Sequence, residues 1–109
     1  MSYNTETFKL SRPLKTHNGD THELKLKEPR AGALVKYSDP FKVKPIKDES
    51  GETEGFEFEF YNKPMMQFLS EMTGFDDIVL SGLSTSDFMR VRIVAANIVL
   101  MGISAKDPS

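Results

Sequence analysis

Along the first part of the chain, apolar residues recur at every second position. Leu24 and Leu26 alternate with Glu23, Lys25 and Lys27, and Phe8 and Leu10 repeat the spacing upstream. A period of two puts alternate side chains on one face, so Phe8 to Leu14 and Thr21 to Lys27 are predicted strands with one buried side. Asn18-Gly19 lies between them, a dipeptide favoured by a type I′ turn, which needs positive φ at both central residues. The same period returns in Phe41-Lys42-Val43-Lys44 and Phe56-Glu57-Phe58-Glu59-Phe60. These predict a second hairpin, with Lys42 and Lys44 opposite Glu57 and Glu59 at about 0.2–1 kcal/mol per pair. Pro45 marks its first arm as an edge. Between the hairpins, Pro29 suits a helix start and a short helix is expected from about Arg30 to Lys36, although Gly32 weakens it. Ser38-Asp39-Pro40 reads as a turn.

After Tyr61 the period changes from two to that of a helix. Asn62-Lys63-Pro64 reads as a cap followed by a first-turn proline. Met65, Phe68, Leu69 and Met72 then fall at i, i+3, i+4 and i+7, and Gly74 ends the segment. Asp76 is placed to cap a short turn through Leu80, closed by Gly82.

The longest helix is predicted from Ser84 to Gly102. Ser84 and Asp87 form an acidic variant of the capping box, and Gly102 supplies the stop. Its roughly 17 residues span about 25 Å. Phe88, Val91, Val94, Ala95, Ile98, Val99 and Met101 make one broad apolar face. Met89, Ile93, Ala96, Leu100 and Ile103 make a second. A surface helix carries one apolar stripe and a polar back, so the second face is expected to be covered by another copy of the chain or by a partner. The plainer alternative is a central helix wrapped by its own domain.

Strands first and helices last make the fold α+β. The N-terminal antiparallel β-hairpins are placed at about 7–27 and 41–61, and the C-terminal helices at about 63–73, 76–81 and 85–102. A chain of 109 residues is expected to be a single domain over 1–109. Residues 1–6 and 104–109 are expected to be flexible tails, and 48–55 a mobile acidic loop.

The formal charge of −2 gives no net electrostatic case for nucleic acid. The chain has no cysteine, hence no disulfide framework and no thiolate metal site, which fits a reducing compartment. The N-terminus lacks a signal pattern, and the apolar run from Ile93 to Ile103 is too short to span a bilayer, so a cytoplasmic protein is expected. Charge is unevenly spread. Lys9 to Lys47 holds ten basic and four acidic residues, whereas Asp48 to Asp87 holds one basic and ten acidic. That asymmetry fits complementary contact between subunits or with a charged partner. The favoured, plainer reading is two hairpins paired across their solvated faces.

No catalytic constellation stands out, and the chain is expected not to be an enzyme. His17 and His22 have no further ligand at metal spacing, and the adjacent Asp76-Asp77 is explained by capping. No nucleophile–base pair and no phosphate-cradling glycine loop is visible. Neither a cofactor nor a metal is expected. Five of the six methionines lie in the predicted C-terminal helices: Met65, Met66, Met72, Met89 and Met101. Methionine suits surfaces that must accept varied apolar partners. Gap-filling in the core is as good a role for Met72 and Met101, whereas Met66 and Met89 lie off the main stripes.

Two blocks together carry a family likeness. The first is Phe8-x-Leu10 with Pro13-Leu14, Asn18-Gly19 and Leu24-x-Leu26-x-Glu28-Pro29-x-x-Gly32-x-Leu34. The second is Met65 to Gly74 with Leu80, Leu83, Asp87 and the apolar helix that follows. Over about residues 8–37 and 62–102 this resembles the small tail assembly chaperones of long-tailed bacteriophages of the Mu and P2 type. Between about Ser38 and Tyr61 the chain departs from that pattern, with a Phe-rich hairpin where the resemblance implies mostly helical sequence.

The resemblance implies a protein of the infected host's cytoplasm, absent from the mature virion. Its implied role is to bind the tape measure protein and keep it soluble until the tail tube polymerises around it. The tail tube protein and a frameshifted longer form of the chain itself are further implied partners, and a homo-oligomer is expected. No nucleic acid or membrane partner is expected. An apolar, adaptable helical surface is what such contact needs, and the residues expected to supply it are Met66, Met89, Ile93, Ala96, Leu100 and Ile103. Two alternatives remain: a structural tail component that stays in the virion, and a small nucleic-acid-binding regulator, against which the charge balance argues.

Overall fold

A computed structural model describes residues 5–102. Two strands, β1 (Thr5–Thr16) and β2 (Gly19–Lys27), form the first antiparallel hairpin. It is followed by a short helix α1 (Ala31–Tyr37) and a second hairpin, β3 (Phe41–Lys47) and β4 (Thr53–Phe60). Three helices close the chain: α2 (Asn62–Thr73), α3 (Asp77–Leu80) and α4 (Thr85–Met101). The order is the α+β arrangement that the period change predicts. Thr5 and Glu6, inside the segment expected as a tail, pair with Lys27 and Leu26.

The first hairpin turns one residue earlier than Asn18-Gly19 suggests. Thr16 pairs with Gly19, so His17 and Asn18 are the central residues. Gly19 takes φ +104° while Asn18 keeps an ordinary φ. The turn is therefore not type I′: the positive φ falls on the glycine that follows it. Thr16 braces the turn, its hydroxyl donating to the Gly19 carbonyl at 2.6 Å.

The strand β1 is interrupted. Its register slips between Lys9 and Leu14, so the chain around Ser11 bulges out of the ladder. Leu14, Leu24 and Leu26 point from this sheet into the core, where they meet Met65, Phe68, Leu69 and Met72 of α2 and Val91, Ala95 and Ile98 of α4. The helices cover one face of the first sheet, α2 on β2, and α3 and α4 on β1, while α1 packs on α2.

The second hairpin is a separate two-stranded sheet. This differs from the reading in which the two hairpins pair with each other. The sign change in charge falls inside the second hairpin, because β3 is basic and β4 acidic. Lys42 lies opposite Glu59 and Lys44 opposite Glu57, as the alternation predicts. The ion pair that forms is diagonal, Lys44 Nζ to Glu59 Oε1 at 2.6 Å. It raises the Lys44 pKa and lowers that of Glu59. At the acidic tip, Asp48 Oδ1 accepts from the Ser50 and Glu52 N–H groups, both at 2.9 Å, and from the Ser50 hydroxyl at 2.7 Å. Phe41, Phe58 and Phe60 cluster at the base, with Phe41 and Phe58 edge to face at 5.2 Å.

The caps follow the sequence at α3 and α4 but not at α2. Asp76 accepts from the Val79 N–H at 2.9 Å and Ser84 from the Asp87 N–H at 3.2 Å. Gly74 and Gly102 stop their helices at positive φ. The residue before α2 is Tyr61, which makes no side-chain cap, and Asn62 is already helical. The Asn62 side chain is turned to another use, described below.

Candidate interaction surface

Val35 of α1, Phe56 of β4 and Ile78 of α3 are exposed at separate places in the fold, whereas α4 leaves several apolar side chains uncovered along one helix. Val91, Ala95 and Ile98 occupy its inner side and are fully buried. On the far side Met89 is 50 % exposed, Ile93 48 % and Leu100 53 %. At 100° per residue these three fall within about 40° of one another and run about 16 Å along the axis. They form one stripe on a helix whose other side is locked into the core.

The remaining candidates from the sequence are placed differently. Ala96 lies beside the stripe yet is 0 % exposed, so it is sealed inside the subunit and offers no contact surface. Met66 is half-buried and packs against the core. Ile103 lies outside the described residues. Met101, assigned by its spacing to the inner face, is exposed near the helix end, while Met65 and Met72 fill the core. Three of the six candidates thus come together on an open face.

Two polar anchors hold α4 in this orientation. The first is Asp87, whose carboxylate is buried and reaches back to the β1 bulge. The Ser11 N–H donates to both carboxylate oxygens, at 3.1 and 3.0 Å, and the Ser11 hydroxyl donates at 3.0 Å. Arg90, one turn on, forms an ion pair with the same carboxylate. Burial alone would raise the Asp87 pKa, but the Ser11 N–H, the Arg90 guanidinium and the Ser11 hydroxyl outweigh it, and the net shift is downward.

The second anchor is Arg92. Its guanidinium lies 4.3 Å from the Phe60 ring centroid and 5.7 Å from that of Phe88. Its Nη1 donates to Asn62 Oδ1 at 2.9 Å. One side chain therefore joins α4, the first turn of α2 and the base of the second hairpin. Its Nε is buried without a hydrogen-bond partner, so stacking on the aromatic rings accompanies an incomplete set of hydrogen bonds.

Sequence reasoning missed both anchors. The cap with Ser84 accounts for Asp87 in the sequence and gives no sign of its long-range partner. At 100° per residue Arg92 falls between the two apolar faces of the helix, a place where an arginine calls for no distant partner. The signals available were an acid directly before the apolar run and an arginine three residues before a paired apolar turn, and neither names a distant partner.

The exposed stripe has the chemistry of contact, not of bond-making: two branched aliphatic side chains, one thioether and no titratable group among the three. No helix among the described residues is long and apolar enough to cross a membrane. Among the same residues, no three His, Asp or Glu side chains gather as a metal cluster.

A family model described as "Phage tail assembly chaperone proteins, E, or 41 or 14" matches residues 7–99. Its span includes the second hairpin, so the departure expected between Ser38 and Tyr61 does not divide the match. No curated protein and no solved structure matches the chain.

Proposed function

The chain belongs to the family of phage tail assembly chaperones, and from that premise we propose that its client is the tape measure protein. The chaperone binds that protein in the host cytoplasm, keeps it soluble until the tail tube polymerises around it, and is absent from the mature virion. The observation that carries this reading is the Met89, Ile93 and Leu100 stripe, half exposed on a helix whose other side is fixed in the core. A long helical client presents apolar stripes before the tube encloses it, and helix-on-helix contact requires such a counterpart.

Covering the exposed halves of these side chains is worth roughly 1 kcal/mol each. Affinity per copy is therefore modest, and several copies along one client, or a homo-oligomer of the chaperone, raise it by avidity. Release needs no nucleotide, because a tube subunit with higher affinity for the client displaces the chaperone. Co-expression tests the reading: the soluble fraction of the tape measure protein rises in the presence of the chain. Mass spectrometry of purified virions separates it from a structural subunit, which would remain in the particle.

A further inference from the structure

We propose that the free edge of β4 takes up an extended segment of a protein partner in which basic and apolar residues alternate, adding a third strand to the second hairpin. Among the described residues, β4 pairs on one side with β3 and with no strand on the other. The direction of its hydrogen-bonding groups follows from the base of the hairpin. There the Tyr61 N–H donates to the Pro40 carbonyl at 2.9 Å. In an antiparallel ladder, bonded and non-bonded pairs alternate. Given the register, Lys42 with Glu59 and Lys44 with Glu57 are the bonded pairs. Phe56 and Phe58 therefore point their N–H and C=O groups outward, along the free edge.

The two outer edges of this hairpin are not alike. The β3 edge carries Lys42, Lys44 and Lys47 and lacks a donor at Pro45, the devices that discourage strand addition. Between Thr53 and Phe60, β4 has no proline and no lysine. Phe56, 68 % exposed, stands beside that edge. A two-stranded ribbon is marginal by itself, and a third strand strengthens it.

Charge selects the occupant. β4 already holds one strand of the proposed chemistry, since Lys42, Val43 and Lys44 lie opposite Glu59, Phe58 and Glu57. A strand added at the other edge meets the same alternation, with its basic residues beside Glu57 and Glu59 and its apolar residues beside Phe56 and Phe58. A second copy of β4 would set glutamate against glutamate. A β3 from a second copy has the right charge, but it would place two hairpins side by side at about 10 Å. The described chain is 29 Å across at its narrowest, so in antiparallel addition, which sets both bodies at the same end, the two would collide. A basic, extended segment of a different protein meets neither obstacle.

The probe is a synthetic peptide with the sequence of β3 and threonine in place of Pro45, titrated into the full chain and followed by amide NMR. Saturable binding is expected, at least about tenfold tighter than for the same peptide with glutamate in place of its lysines. The Phe56 and Phe58 amides should gain protection from exchange, while those of Glu57 and Glu59, already bonded to β3, should not change. Phe56→Pro, which removes one outward donor from an exposed position, should abolish the gain. Equal affinity for both peptides, or shifts confined to α4, would overturn the proposal. So would concentration-dependent protection of Phe56 and Phe58 without peptide, which would assign the edge to a second copy of the chain. The tape measure proposal stands or falls separately, since it concerns α4.

Discussion

The backbone N–H of Ser11 donates to both carboxylate oxygens of Asp87, joining residues 76 positions apart in sequence. The bond exists because β1 bulges at Ser11 and frees its N–H from the ladder. It fixes the start of α4 against the first sheet, and with it the direction in which the exposed stripe faces. Asp87→Ala leaves a part-buried N–H without its acceptor and Arg90 without its partner. The expected loss of stability is about 1–3 kcal/mol by urea denaturation. A loss under about 0.5 kcal/mol would mean that the bond is dispensable.

The same contact makes stability sensitive to acid. The Asp87 pKa is lowered in the folded protein by its hydrogen bonds and by Arg90. Its contribution is therefore complete above the unfolded aspartate value of about 3.9, and is lost as pH falls through the lower folded value. Denaturation midpoints for Asp87→Asn should fall less steeply with acid than those of the unaltered protein. Parallel curves would contradict the assignment.

Arg92→Lys keeps the charge but loses the guanidinium that lies over the Phe60 and Phe88 rings. The expected cost is about 0.5–2 kcal/mol. Because Arg92 joins the base of the second hairpin to α2 and α4, amide exchange should quicken in β3 and β4 more than in β1 and β2. Uniform acceleration would point to global destabilisation without a hinge at Arg92.

Ile93 and Ala96 separate surface from core on one helix. Ile93→Asp alters a half-exposed position and should cost about 1 kcal/mol or less. Ala96→Asp places a charge where no solvent reaches and should cost more than about 4 kcal/mol. Thermal melts of the pair decide it. If Ile93→Asp unfolds the protein, the stripe belongs to the core.

The element order and most boundaries were legible because they rest on local periodicity. Leu24 and Leu26 mark a strand by their spacing alone, and Ser84, Asp76 and Gly74 mark helix ends by their side-chain and backbone chemistry. The turn at His17-Asn18 was misplaced by one residue, because glycine serves either inside a type I′ turn or just after a different one. Within the surface, spacing put Ala96 on the outer face of α4 together with Ile93. Helical angle does not say how far a neighbouring element wraps round, and a methyl group is hidden far more easily than a longer side chain. The links from Asp87 to Ser11 and from Arg92 to Phe60 are long-range, so no local pattern could announce them.

In the proposed function, the outer stripe of α4 holds the client. The most direct test is the soluble fraction of the tape measure protein on co-expression with the unaltered chain and with Ile93→Asp, both verified as folded. A clear rise is expected with the first and little or none with the second. Equal rises, or no rise with either at matched expression, would contradict it.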